Sequence, residues 1–258
     1  MNPVFSRINT YLRQFMVYNL SGVIPLFIIN EYPKSGGTWL GQLLEMALDV
    51  PYPRNRFPLL RKSIMSGHYF KPGRMKNVII VWRDGRDVMT SWYYQCCFEH
   101  EHDNKRLVSR TRKDLKFEEY DNIINNLPRF IEYVFTSQPN PPFTWADFVE
   151  KWAHRTDVMH TRYEDLNRNT AEELKRIIYE LVGQIFPYEK LMPIVEELSF
   201  ANQASKHKNH KNSFLRKGIV GDWRNNFSDK ARVVFDQYAG DALIKLGYEK
   251  NHAWIKSV

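Results

Sequence analysis

The chain has 258 residues, of which 43% are hydrophobic and 26% are charged, and this is the composition of an ordinary globular protein. Its length fits one large α/β domain or two small ones with a substantial buried core, which excludes a long disordered chain. The net charge of +8 predicts an anionic partner, namely nucleic acid, a phosphorylated small molecule or acidic lipid, although a solvated basic surface would carry the same charge.

Strands and helices alternate in the predicted secondary structure. After an N-terminal extension, residues 1–20, the run “VIPLFIIN” is apolar and β-branched like a buried parallel strand, and “TWLGQLLEMAL” follows with helical spacing. Each of two further strands precedes a turn and a helix, the last of which is predicted to end at Gly183. The three predicted strands are residues 23–30, 77–83 and 157–163. This alternation predicts an α/β fold, with a single domain over residues 1–258 and a central parallel sheet flanked by helices on both faces.

Two regions depart from this alternation. Residues 99–143 are highly charged and then rich in Asn and Pro, which predicts a variable excursion made of a helix and a loop. Residues 202–217 are basic and contain few large apolar side chains, which predicts a mobile surface loop. Long loops of this kind often act as lids or binding elements, and a solvated connection is the alternative for both regions.

The two cysteines and the lengths of the apolar runs indicate in which cellular compartment the protein is expected. Cys96 and Cys97 are adjacent, too close for ordinary disulfide geometry, and are predicted to pack at the end of a helix. A chain without disulfides is expected in the cytoplasm. The longest apolar run, 23–29, is far shorter than the ~20 residues of a membrane helix, so we expect no stable membrane insertion. No signal peptide is visible, and a luminal domain cut from a membrane anchor stays open.

The segment “YPKSGGTWL”, residues 32–40, joins the first predicted strand to the first helix. Its glycines allow close backbone approach, and the helix start offers unpaired N–H groups and the positive end of the helix dipole. Two hydroxyls and a lysine complete a predicted phosphate or sulfate site, and a tight turn without a ligand is the alternative. The residues are Lys34, Ser35, Gly36, Gly37 and Thr38. The lysine precedes the glycines, whereas the common nucleotide-triphosphate loop has it after them.

“YPKSGGTW” resembles the 5′-phosphosulfate loop, commonly written YPKSGTTW, of the sulfotransferases that use 3′-phosphoadenosine 5′-phosphosulfate (PAPS). Gly37 stands where that family often has threonine, so a hydroxyl is lost while the backbone donor is kept. “WRDGRDVMTSWYY”, residues 82–94, is similar to the family's 3′-phosphate motif, in which Arg83 and Ser91 would share one phosphate. Arg83 follows the carboxyl end of a strand, where open α/β sheets bind ligands.

Further segments carry the same resemblance, which runs from about residue 23 to about residue 247 and implies a P-loop nucleotide-kinase-like architecture. “FLRKGIVGDWRNNF”, residues 214–227, resembles the family's RKGxxGDW element, which would close over the 3′-phosphate. The adenine would lie against side chains that could equally belong to the core. The residues of the closing element are Arg216, Lys217 and Gly218, and those of the adenine pocket are Trp39, Tyr163, Ser199 and Phe200.

The resemblance implies that the sulfuryl group of PAPS moves to a hydroxyl or amine by in-line displacement, with PAP as product and no metal. Such a transfer requires a base for the acceptor and stabilisation of the leaving oxygen. His68, in “MSGHYFKP”, is the expected base, because the family places a histidine shortly before the 3′-phosphate strand; a structural histidine is the alternative. Lys34 would stabilise the leaving oxygen. Ser66 replaces the family's lysine two residues before the histidine, and Lys71 is a candidate substitute.

Two other functions stay open. A P-loop kinase would need ATP and Mg²⁺ and would carry the motif GxxxxGK[ST]. The chain lacks this motif. A nucleic-acid-binding module is prompted by the charge and by “SKHKNHK”, and its binding would depend strongly on salt; we expect no nucleic acid partner.

The acceptor and the oligomeric state are not readable from the sequence. The acceptor is expected to be a small molecule or a carbohydrate. Aromatic residues are candidates for lining its pocket: Tyr69, Phe70, Tyr93, Tyr94 and Phe98. In the family, a KxxxTVxxxE-type segment mediates dimers. The corresponding stretch here, “RNNFSDKARV”, keeps a basic residue but lacks the valine and the glutamate, so the oligomeric state stays open.

Overall fold

The computed structural model describes residues 3–54, 56–99, 105–137, 141–202 and 218–256. The chain divides into two compact units. We call Met1–Trp82 with His154–Ser199 the sheet unit, and Arg83–Ala153 with Phe200–Val258 the helical unit. Most of the predicted basic loop, including Arg216 and Lys217, lies outside the described residues.

A parallel sheet organises the sheet unit, and its strands lie in the order β2-β1-β3-β4. The strands are β1 Leu26–Glu31, β2 Ser63–Gly67, β3 Val78–Trp82 and β4 Met159–Arg162. All residues of β1 and β3 are buried, as expected of central strands covered on both faces. The α/β fold with a parallel sheet is thus confirmed. The prediction missed β2, whose sequence “SIMSG” contains one β-branched residue and ends in a glycine.

The helices account for most of the remaining described residues. In chain order they are α1 Pro3–Phe15, α2 Gly37–Leu48, α3 Gly85–Cys97, α4 Lys105–Asp114, α5 Ile123–Ser137, α6 Trp145–Trp152, α7 Tyr163–Arg168, α8 Thr170–Val182, α9 Tyr188–Glu197 and α10 Asp229–Lys245. A π-helical turn, Met16–Leu20, follows α1. Residues 99–143 contain α4 and α5, where one helix and a loop were predicted. Within the described ranges, no helix is long and apolar enough to cross a membrane.

Helix α2 is positioned by its apolar face. Leu40, Leu43 and Leu44 recur at helical spacing, are fully buried, and pack in one hydrophobic cluster with side chains of β1, β3 and α8. Gly183 ends α8 as predicted, and its N–H donates to the Tyr179 carbonyl oxygen. This packing fixes the amino end of α2 directly after β1, at the carboxyl edge of the sheet.

The helical unit is held together by aromatic packing between helices. The Phe235 ring of α10 lies 5.9 Å from that of Phe135 in α5 and 6.1 Å from that of Trp145 in α6. Cys96 and Cys97 are buried free thiols at the end of α3, as the sequence predicted.

Candidate active site

The loop between β1 and α2 bends sharply at Lys34 and Gly36. Both residues have left-handed backbone, with φ of 74° and 101°, and this region is costly for lysine. A side chain at Gly36 has no room, because an added Cβ would lie 2.6 Å from Cδ2 of Tyr163. Backbone strain at a residue other than glycine concentrates at functional sites. The positive φ at Lys34 thus agrees with the prediction that this loop is a binding element.

A buried hydroxyl lies inside this loop. Ser35 is only 1% exposed, and its Oγ has no hydrogen-bond partner among the residues that the structure describes. Leaving a buried polar group without a partner costs about 1–3 kcal/mol. A bound ligand or an ordered water is one way in which such a group is satisfied.

The amino end of α2 is capped by a carboxylate. The Gly37 N–H donates to Oε2 of buried Glu31 at 2.6 Å, whereas the sequence had left this donor for a ligand. Thr38 follows in the first turn and is half-buried. Glu31 was missed because the loop motif begins one residue later, at Tyr32, although an acidic residue before a predicted helix start is a capping signal.

Three of the predicted adenine-pocket residues lie close together in the sheet unit. The Trp39 ring meets Tyr163 edge to face, with centroids 6.0 Å apart, and Trp39 Nε1 donates to the Leu198 carbonyl oxygen at 3.0 Å. Ser199 is the next residue in the chain. Trp39 is half-buried against the hydrophobic cluster, so its ring belongs partly to the core and keeps an accessible part.

His68 follows β2 and is oriented by the main chain of β1. Its Nδ1 donates to the Glu31 carbonyl oxygen at 2.8 Å, because a carbonyl can only accept; this assigns the proton to Nδ1 and leaves Nε2 as the basic nitrogen. Part of the His68 side chain is exposed to solvent. Desolvation of the rest of the ring lowers the pKa of its imidazole, and the bond to Glu31 opposes the shift. The lowered pKa favours the neutral imidazole, and the bond to Glu31 fixes its tautomer.

Neighbouring side chains fix the segment that carries His68. Asn30 donates to the Tyr69 carbonyl oxygen at 3.0 Å and accepts from the Tyr69 N–H at 2.8 Å. The Ser66 hydroxyl, which stands where the family has lysine, hydrogen-bonds the Tyr52 hydroxyl at 2.7 Å. Lys71 is exposed. The histidine is thus held by main-chain and side-chain contacts on both sides.

Arg83 and Ser91 lie at the start of the helical unit. Arg83 directly follows β3 and is half-buried, and Ser91 is a buried residue of α3. Asp84 caps α3 by accepting the Arg86 N–H at 2.9 Å. Burial raises the pKa of Asp87, and the nearby positive charge of Arg83 opposes that shift.

Asp87 ties the GDW element to α3. Its carboxylate accepts the Gly221 N–H at 2.7 Å and the Trp223 N–H at 2.8 Å. Buried Arg86 completes the link: its guanidinium lies 3.8 Å from the Trp223 ring centroid and 2.7 Å from an Asp84 oxygen. No local pattern in “DGRD” shows that its charges reach residues more than a hundred positions away.

Gly218 and Phe200 also meet in the helical unit. Gly218 has a φ of 66°, and an added Cβ would lie 2.4 Å from Cδ2 of Phe200. The two predicted residues are therefore neighbours, and only glycine fits at position 218.

Asp87→Ala is expected to lower the free energy of unfolding by about 3 kcal/mol, because the buried Trp223 N–H and the partly buried Gly221 N–H lose a charged acceptor. Urea unfolding measures this. The control is Asp241→Ala, since that carboxylate and its partner His252 are both exposed, and exposed ion pairs contribute little to stability. Equal losses in the two variants would show that Asp87 does not anchor the GDW element.

The aromatic residues proposed for the acceptor pocket separate into two groups. Tyr93 has no accessible surface, packs 5.2 Å from the Phe130 ring, and donates its hydroxyl to the Tyr120 carbonyl oxygen. It cannot contact an acceptor in this conformation, so that prediction is wrong for Tyr93. Phe70 and Tyr94 are half-buried, and Tyr69 and Phe98 are buried.

In the described parts of the chain, no group of three or more His, Cys, Asp and Glu side chains is arranged to hold a metal ion.

Named relatives match most of the chain. A model of the sulfotransferase domain matches residues 55–247. Sulfotransferase 1B1 of Mus musculus is 26% identical over 245 residues, which cover 81% of this chain and 79% of the relative. Sulfotransferase 1E1 of Homo sapiens is 24% identical over 260 residues, which cover 82% of this chain and 81% of the relative.

Solved structures share the fold. The crystal structure of mouse sulfotransferase SULT7A1 complexed with PAP has a TM-score of 0.66 and 19% identity, and covers 97% of this chain and 95% of that chain. The crystal structure of retinol dehydratase in complex with androsterone and inactive cofactor PAP has a TM-score of 0.62 and 16% identity, and covers 88% of this chain and 83% of that chain. These likenesses confirm the predicted P-loop-like α/β fold.

Proposed function

Because this chain belongs to the sulfotransferase domain family, we propose that it transfers the sulfuryl group of PAPS to a hydroxyl or amine of a small-molecule or carbohydrate acceptor. It is accordingly an enzyme of the PAPS-dependent sulfotransferase class. The observation that carries the finer proposal is the β1–α2 loop at the amino end of α2. Lys34 is strained there, and the Ser35 hydroxyl has no hydrogen-bond partner among the described residues.

The loop is suited to the 5′ end of the donor. Lys34 supplies a cation, Ser35 and Thr38 supply hydroxyl donors, and the first turn of α2 supplies the positive end of the helix dipole. A bound anion would satisfy the buried Ser35 hydroxyl. Trp39, Tyr163 and Ser199 would hold the adenine.

The helical unit supplies residues for the 3′-phosphate. Arg83 offers a planar set of donors that matches phosphate, and Ser91 offers a hydroxyl. Gly218 would close over the 3′-phosphate together with Arg216 and Lys217, and Phe200 would contact the adenine. Asp87 would serve indirectly by holding the GDW element that follows Gly218.

His68 would act as the base. Its Nε2 accepts the proton of the acceptor hydroxyl as the acceptor oxygen bonds to sulfur and the bond between sulfur and the 5′-phosphate oxygen breaks. Lys34 stabilises the charge that grows on the leaving oxygen. The proposal assigns charge neutralisation to these cationic and N–H groups and requires no metal.

The pH dependence of kcat/KM follows from the state of His68. A base works only when neutral, and the lowered pKa keeps the imidazole neutral to a lower pH. We therefore expect full activity at pH 7 and loss only as the pH falls below the ordinary histidine value of about 6.5. A profile from about pH 5 to pH 8 measures this. An acidic limb centred above about 6.5 would contradict it.

Transfer itself tests the proposal. The protein is incubated with sulfur-labelled PAPS in a magnesium-free buffer with EDTA, using phenols, steroids, alkyl alcohols and sugars as acceptors. Labelled product is expected with at least one class. Parallel reactions with labelled ATP and Mg²⁺, and salt-dependent binding to DNA, test the kinase and nucleic-acid alternatives. Nucleotide phosphate transfer without sulfuryl transfer would overturn the proposal.

We propose further that the protein is cytoplasmic, has no nucleic acid partner and does not insert stably into membranes. Cell fractionation tests the compartment and the membrane insertion, and a filter-binding assay tests binding to nucleic acid.

A further inference from the structure

A carboxylate is built into the proposed donor loop. Glu31, the last residue of β1, is 7% exposed, and its Oε2 accepts the Gly37 N–H at 2.6 Å. The amino end of a helix favours the ionised form of such a group, and the positive charge of Arg54 interacts with it. In its ionised form, this carboxylate places a negative charge at the amino end of α2, within the proposed donor loop.

The Glu31 side chain fills the space in which a side chain at position 37 would lie. A Cβ at position 37 would lie 2.7 Å from Cδ and 2.8 Å from Oε1 of Glu31, and 2.9 Å from Cγ2 of Ile29. The carboxylate thus occupies the space beside the helix start that a larger residue at position 37 would need. A glycine at this position leaves room for the capping carboxylate.

Glu31 also changes what the loop can offer to a ligand. One N–H of the helix start is already used by the protein's own carboxylate. A second negative charge bound at the same loop would be repelled by this carboxylate, because like charges in a partly buried site disfavour each other.

We propose that Glu31 is a positioning residue that holds the donor loop in shape and, through its charge, limits how tightly the loop retains the product nucleotide. This rests on the proposed function. The 5′-phosphate of PAP concentrates two negative charges on one group, since its second pKa is about 6. In PAPS the charges are spread over a phosphate and a sulfate. A neighbouring carboxylate therefore opposes the product more than the donor.

Glu31→Gln tests the charge. Glutamine keeps the shape and an oxygen that can accept the Gly37 N–H, but carries no charge. We expect PAP to bind about tenfold more tightly and to dissociate correspondingly more slowly, with the midpoint of urea unfolding little changed. Calorimetry and stopped-flow displacement measure this. The control is Glu189→Gln, which neutralises an exposed carboxylate in the first turn of α9. Unchanged or weaker PAP binding by Glu31→Gln would overturn the retention role.

A double-mutant cycle tests the position. Gly37→Ala alone is expected to weaken PAP binding and stability, whereas Glu31→Ala/Gly37→Ala recovers affinity to about tenfold above the value that additive effects predict. Gly22→Ala is the control, because an added Cβ there meets no atom within 4 Å. Additive effects of the two substitutions would overturn the steric pair.

PAP binding and urea unfolding together distinguish failure of the retention role from failure of the proposed function. A wild-type protein that fails to bind PAP would overturn both the proposed function and the retention role. The cycle measured by urea unfolding needs no ligand, and it still decides whether Glu31 and Gly37 form one structural pair.

Discussion

His68→Asn is expected to lower kcat about 10²- to 10⁴-fold and to leave the dissociation constant of PAP unchanged. The asparagine amide can donate to the Glu31 carbonyl oxygen as Nδ1 does now, but it has no basic nitrogen in place of Nε2. The substitution therefore removes the base while keeping the contact that holds the segment after β2. Steady-state kinetics with a responsive acceptor and calorimetry with PAP measure the two quantities.

Two outcomes would contradict a catalytic His68. Turnover within about fivefold of wild type would be too small a loss for a general base. A parallel loss of PAP affinity would assign His68 a structural role. The control is His252→Asn, which removes an exposed imidazole paired with Asp236 and should leave turnover unchanged.

Arg83→Ala is expected to raise the dissociation constant of PAP about 30-fold or more, because a phosphate would lose its charged, hydrogen-bonded partner. AMP lacks the 3′-phosphate, so its affinity should change little in the same variant. Lys34→Ala should instead weaken PAP and AMP by similar factors, because both ligands carry the 5′-phosphate. Calorimetry in magnesium-free buffer with both ligands resolves the two assignments.

The comparison needs a control for general charge loss. Arg110→Ala removes an arginine of α4 that is 57% exposed at its side chain, and both affinities should stay at the wild-type values. Arg83→Lys keeps the charge without the planar fork, so it should fall between wild type and alanine. Equal weakening of PAP and AMP by Arg83→Ala would show that Arg83 does not bind the 3′-phosphate.

Local sequence patterns predicted the parts of this fold that depend on neighbouring residues. Strands β1 and β3 are short runs of buried apolar residues, and this composition is visible without any partner strand. Gly183 ends α8 through its own backbone conformation. Strand β2 was missed because its pairing with β1, rather than its composition, makes it a strand.

The candidate site divides in the same way. The sequence by itself predicted the proposed donor loop, the arginine after β3 and the histidine, because each belongs to a continuous motif. The tertiary structure decided what holds them: the register that pairs Asn30 with Gly67 brings the next residue, Glu31, to His68, and Asp87 reaches the GDW element 134 positions away. It also placed Tyr93 in the interior. The physical reason is that helix and strand signals are local, whereas a hydrogen bond between distant residues depends on the register in which the whole chain packs.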